Sequence, residues 1–104
     1  LSEADEAADG DRWRAPPNKS PSIQAYLKAL SIRDLSDVEV VQREVRAGNV
    51  VIAKITEIAN RSAEDTRRAI DALCTFTREF DCDIARLGVE RVVVTPPTIK
   101  IWRR

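Results

Sequence analysis

The sequence predicts a two-layer α/β sandwich, and three observations carry that reading. Two capping-box sequences, Ser36-Asp37-Val38-Glu39 and Ser62-Ala63-Glu64-Asp65, each open a stretch of helical period. Runs rich in β-branched residues bracket both stretches, which gives the order β-α-β-α-β-β-β. The chain has 104 residues and 43% hydrophobic content, enough to bury one core and not two. We therefore expect two helices on one face of a five-stranded mixed sheet.

Residues 1–22 read as an acidic, then Pro-rich linker. Glu3, Asp5, Glu6, Asp9 and Asp11 precede Pro16, Pro17 and Pro21, with no sustained hydrophobic period. Trp13 stands between Arg12 and Arg14 in this stretch and reads as a solvated tail residue. Because the chain opens at Leu1 rather than Met, we expect a segment upstream of it. Residues 23–104 form the expected domain. Its first strand begins near Ile23, where Ile23, Ala25, Leu27 and Ala29 alternate with Gln24, Tyr26 and Lys28.

The first helix is expected from Asp37 to Ala47, with Ser36 as N-cap and Leu35 stapled on Val40. Val38, Val41 and Val45 form its apolar stripe, and Gly48 suits the left-handed residue that ends it. Val50 to Ile55 is a near-continuous apolar run, the pattern of a central strand covered on both faces. The second helix is expected from Ala63 to about Phe80. Its buried side carries Thr66, Ala69, Ile70, Leu73, Phe76, Thr77 and Phe80, and Glu64, Arg67, Arg68 and Asp71 pair on the other side. Cys82 to Leu87 and Arg91 to Thr95 make a hairpin around Gly88. Pro96 and Pro97 stop it, and Thr98 to Trp102 is expected as a last strand.

Two helices cover one face of such a sheet, whereas Val50, Val51, Ile52, Ile55, Val92, Val93 and Val94 place apolar side chains on both. A bare apolar face is costly at about 25 cal/mol per Å2, so a second copy is expected to cover it, sheet against sheet. We place Cys82, Ile84, Val92 and Val94 at that contact.

Charge is balanced, with 17 Lys+Arg against 17 Asp+Glu, so no overall field steers the chain toward nucleic acid or an acidic membrane. No apolar run reaches the length of a membrane span. Two cysteines are too few for a disulfide framework, and a reducing cytosol fits them. The absence of His and of a Gly-rich phosphate loop, together with the lack of a nucleophile spaced from a base, leaves no catalytic, cofactor or metal site to assign. Asp81 and Asp83 flank Cys82 and would raise its thiol pKa, which argues against a reactive thiolate.

The segments Ala47-Gly48-Asn49-Val50-Val51-Ile52, Arg67-Arg68-Ala69-Ile70-Asp71 and Asp83 through Pro97 together resemble the core domain of the SepF family. The closing Ile99-Lys100-Ile101-Trp102-Arg103 is similar to its archaeal branch. This resemblance, which covers about Ile23 to Arg104, implies a cytoplasmic, non-enzymatic cell-division adaptor. Such an adaptor forms a homodimer, binds the C-terminal tail of FtsZ and ties FtsZ filaments to the inner face of the membrane at the division site. The family's membrane anchor is an amphipathic N-terminal helix, and residues 1–20 lack the apolar and basic faces such a helix needs. Carried over by position, the tail site falls on Arg67, Arg68, Ile70, Asp71 and Leu73. Where bacterial members carry an aromatic after the aspartate, this chain has Ala72. Their Gly-Gly pair is replaced by Asp81-Cys82, from which we expect a discrete dimer rather than rings. A small-ligand regulatory α/β dimer is the alternative reading. A nucleic-acid module is disfavoured by zero net charge and the lack of stacking aromatics.

Overall fold

The computed structural model describes residues 25–103. The expected linker 1–22, with Trp13, lies outside the described residues, as do Ile23 and Gln24. Four strands and three helices follow one another as β1 (Leu27–Ser31), α1 (Ser36–Arg46), β2 (Val50–Lys54), α2 (Thr56–Arg61), α3 (Ala63–Glu79), β3 (Asp83–Leu87) and β4 (Arg91–Thr95). The sheet order is β1-β2-β4-β3, with β1 and β2 parallel and β4 antiparallel to both of its neighbours. The layered α/β class is as expected, with two differences in the elements.

The expected fifth strand is absent among the described residues. Pro96 and Pro97 offer no N–H to a ladder, and the segment after them is held by side chains instead. Ile99 N–H closes a turn on the Pro96 carbonyl at 3.0 Å, and the Thr95 hydroxyl donates to the Ile99 carbonyl at 2.6 Å. The Ile101 N–H then donates to Asp83 Oδ2 at 2.9 Å, while Arg103 donates to both Asp83 oxygens at 3.2 Å and to the Ile84 carbonyl at 2.6 Å. These contacts cover the outer edge of β3. They also hold the Asp83 carboxyl below the usual carboxylate range, chiefly through the Ile101 N–H and then Arg103.

The additional helix is α2, one and a half turns between β2 and α3. It buries Ile58 in the core, and its last turn runs directly into the α3 cap, with the Ser62 N–H donating to the Ile58 carbonyl at 2.9 Å. Ser62 is extended, and its hydroxyl accepts from the Asp65 N–H at 3.0 Å, which is the N-cap half of the second capping box; the return half does not form, because the Ser62 N–H is taken by the Ile58 carbonyl. The first box is displaced. Leu35 is already helical, and the cap is Asp34, whose Oδ1 accepts from the Ser36 N–H at 3.0 Å. Asp37 reaches back to the Arg33 N–H at 2.8 Å, so the acids that satisfy N–H groups at the entry to α1 are Asp34 and Asp37 rather than Ser36 and Glu39. At the other end of α1, Gly48 takes a φ of 100°, the left-handed conformation expected of it. Helix α3 closes with the Cys82 N–H on the Thr77 carbonyl at 2.8 Å, and Asp81 occupies the left-handed position at φ 59° where glycine is the usual residue.

Strand parity separates the two sheet faces. Val51, Ala53, Val92 and Val94 point to the helical layer and join Ile32, Val38, Val41, Val45, Ile58, Ala69, Leu73 and Phe76 in one core. Lys28 and Leu30 share that parity in β1, and Lys28 sits there because its ammonium reaches Glu44 at 2.9 Å while its stem lies along the strand. Of the apolar set that alternates in the sequence, Leu27, 68% exposed, and Ala29 therefore face away from the helices. Across that second face the register aligns Ala29, Ile52, Val93 and Ala85 in one row spanning all four strands.

Candidate functional site

Where α1 crosses α3 on the outer side of the helical layer, a groove of about 1070 Å3 runs between them. Small residues are part of its lining: Ala47 at the C-terminal cap of α1, and Ala72 and Thr75 on α3, leave room that larger side chains would fill. Phe76, nearly buried, forms part of its floor, and Phe80, 40% exposed, forms one end. The two rings pack with centroids 5.0 Å apart. The Arg46 guanidinium lies over the Phe80 ring at 4.7 Å, a cation–π contact at the rim.

The charges along the groove are mixed. Arg43, Arg46 and Arg68 line it together with Glu39, Asp71 and Glu79. Arg68 is tethered by Glu64 at 3.0 Å and by Asp65 at 3.8 Å, pairs so exposed that they hold its position at little energy. An apolar floor with carboxylates and guanidiniums on both walls is suited to an extended or helical peptide that carries both apolar and charged side chains. It offers no nucleophile beside a base. Among the described residues no group of three or more His, Cys, Asp or Glu could hold a metal ion, and no helix is long and apolar enough to cross a membrane.

Helical geometry divides the residues expected at the tail site. Consecutive residues are separated by about 100° around the axis. Arg68 and Asp71 line the groove. Arg67 is exposed outside its lining and makes no ion pair among the described residues. Ile70 lies on the flank away from the groove, half-buried against the core, and Leu73 is fully buried in the core. The expected Arg67–Asp71 pair does not form, whereas Glu64 and Arg68 pair as expected. The contribution of α1 was not expected. Glu39, Gln42, Arg43 and Arg46 recur at helical spacing beside the Val38, Val41, Val45 stripe, and that second stripe was the available signal.

The residues placed at the sheet contact also need correction. Val92 and Val94, at 4% and 0% exposure, lie beneath the chain's own helices. Ile84 and Cys82 pack against the same core. Because the side-chain period of a strand is two, choosing Val92 and Val94 selects the covered face, and the open one belongs to Val93 with Ile52, Ala29 and Ala85.

The fold and the groove can be set beside known proteins. The family model described as "Cell division protein SepF" matches residues 27–101, all four strands and all three helices. A curated relative, the cell division protein SepF of Haloferax volcanii, is 38% identical over 68 residues, which span 65% of this chain and 57% of that protein. Among solved structures, a SepF-like protein from Pyrococcus furiosus is 28% identical with a TM-score of 0.72, over 80% of this chain and 99% of the other. A SepF-like protein from Archaeoglobus fulgidus is 29% identical with a TM-score of 0.70, over 75% and 93%. The SepF of Methanobrevibacter smithii, solved in complex with FtsZ-CTD, shares the fold at a TM-score of 0.68 and 13% identity, over 76% and 99%. With the family match extending from the first described strand to the segment that covers β3, the chain belongs to the SepF family of cell division proteins.

Proposed function

We propose that this chain is a non-enzymatic cell-division adaptor that binds the C-terminal tail of FtsZ in the groove between α1 and α3. The observation that carries the reading is the groove itself, an apolar floor with three basic and three acidic side chains along it, in a family with a member solved in complex with FtsZ-CTD. Arg43, Arg46 and Arg68 are the partners for tail carboxylates, and Phe76 and Phe80 receive its apolar side chains. The chain acts as a homodimer, with the open face of the sheet as the contact. Two tail sites on one dimer gain avidity on a filament through effective concentration, without new contacts. An anchor outside residues 25–103 ties the dimer to the inner membrane face at the division site.

A fluorescent peptide of the FtsZ C-terminal tail, titrated with the full chain, tests this reading. Arg43→Ala with Arg68→Ala should weaken binding at least tenfold, since two charge-assisted bonds are lost at about 1.5–3 kcal/mol each, discounted for their exposure. Arg67→Ala should bind as the parent does. The opposite order would move the site to the β3 side of α3.

A further inference from the structure

A second cavity opens beside the groove, at the C-terminal end of α1. It holds about 240 Å3 between Val45, Phe80, Cys82, Pro96, Pro97 and Thr98. Its walls are predominantly apolar, and Arg46 and Phe80 line both this cavity and the groove, so the two spaces meet at the Arg46–Phe80 pair. Small-molecule sites occupy roughly 300–1,000 Å3, and this volume falls below that range. It suits one large side chain reaching in from a segment that lies elsewhere. A water molecule there finds few polar partners, so an apolar side chain displaces it at little cost.

We propose that this cavity is the anchor pocket of the tail site: one large aliphatic or aromatic side chain of the bound peptide enters it, and a peptide carboxylate beside that anchor pairs with Arg46. The inference rests on the reading of the α1–α3 groove as the tail site. Geometry sets the order of contacts, because a peptide running along the groove toward the C-terminal ends of both helices reaches Arg46 and Phe80 before the cavity. The guanidinium is already positioned on the Phe80 ring at 4.7 Å and keeps its N–H edge for a carboxylate. Gly48 also lines the cavity, and its φ of 100° keeps a side chain out of that wall. Cys82 supplies a reporter, half-buried in the cavity wall with its Sγ 3.6 Å from the Phe80 carbonyl. Cys74 is the internal control, lying about 200° around α3 from the groove residue Ala72.

The test is alkylation of the full chain with iodoacetamide at mildly alkaline pH, read at each cysteine by mass spectrometry, with and without the FtsZ tail peptide. At ten times the dissociation constant, occupancy should slow alkylation of Cys82 about tenfold and leave Cys74 unchanged. In parallel, Thr98→Phe, at an exposed position on the cavity mouth, obstructs the entrance and should weaken peptide binding about tenfold or more. Thr98→Ser should bind as the parent does. If the peptide binds but Cys82 reacts at its free rate, or if Thr98→Phe binds normally, the anchor pocket is refuted and the groove reading stands. If the peptide does not bind at all, the groove reading itself falls, and this inference falls with it.

Discussion

Replacing Val93 with glutamate separates the two faces of the sheet by experiment. Val93 is half-buried, lies directly opposite Ile52 and Ala85 on the open face, and touches no helix through its strand parity. Full burial of a valine is worth about 1.5–3 kcal/mol. Half of it remains to be gained in a sheet-to-sheet contact, about 1 kcal/mol per copy and about 2 kcal/mol for both, or about 30-fold in the dimer dissociation constant. Each carboxylate forced into an apolar contact adds several kcal/mol more, so the total weakening should reach at least about a thousandfold. Sedimentation equilibrium across the micromolar range reads this directly, with far-UV circular dichroism and thermal melting as checks of folding. Val93→Glu should be a folded monomer under conditions in which the parent chain is a dimer. Val94→Glu, one residue on and fully buried, should instead unfold the chain. A parent chain that is monomeric at micromolar concentration, or a Val93→Glu variant that stays dimeric, would refute the open face as the contact.

Three further outcomes are expected. Leu73→Ala, at a fully buried position, should destabilise the chain by about 3–5 kcal/mol in denaturant unfolding, with tail binding by the folded fraction unchanged. Asp81→Gly relieves a left-handed residue that carries a side chain and should be neutral or stabilising by up to about 1 kcal/mol in thermal melts. The Asp83 carboxyl is depressed by the Ile101 N–H and Arg103, so its contribution is present above its unfolded-state pKa and lost as pH falls through its folded-state value. Amide exchange at Ile101, corrected for the intrinsic pH dependence, should therefore lose protection on acidification, and Asp83→Asn should remove that pH dependence.

Elements specified by local pattern were legible from the residues alone. Helix α3 runs from Ala63 to Glu79 against an expected Ala63 to about Phe80, because Ser62 caps it and a 3.6-residue stripe of Ala69, Leu73 and Phe76 holds it to the core. The β3–β4 hairpin turns at Gly88 as expected, with φ at 76°. Helix α2 was missed because six residues with one buried apolar side chain, Ile58, give too short a period to detect. The first cap was misplaced because Asp34 and Ser36 both offer an N-cap oxygen two residues apart, and the competition is resolved by where β1 releases the chain. Of the residues transferred from the family to the tail site, Arg68 and Asp71 line the groove, while Leu73 belongs to the core.

By itself, then, the chain's pattern determines the α/β class, the extent of α3, the hairpin and the family, because caps, turns and hydrophobic period act between residues close in sequence. The tertiary structure decides which face each strand presents, that Thr98–Arg103 packs as a segment held by Asp83 rather than as a strand, and that α1 and α3 leave a groove between them. Strand parity is one such decision: shifting a period-two pattern by one residue exchanges the two faces, so apolar residues on both parities leave the choice to whichever side chains the helices can enclose. The groove is another, since its walls come from residues about thirty positions apart, and only the packing of α1 beside α3 brings Arg46 to Phe80.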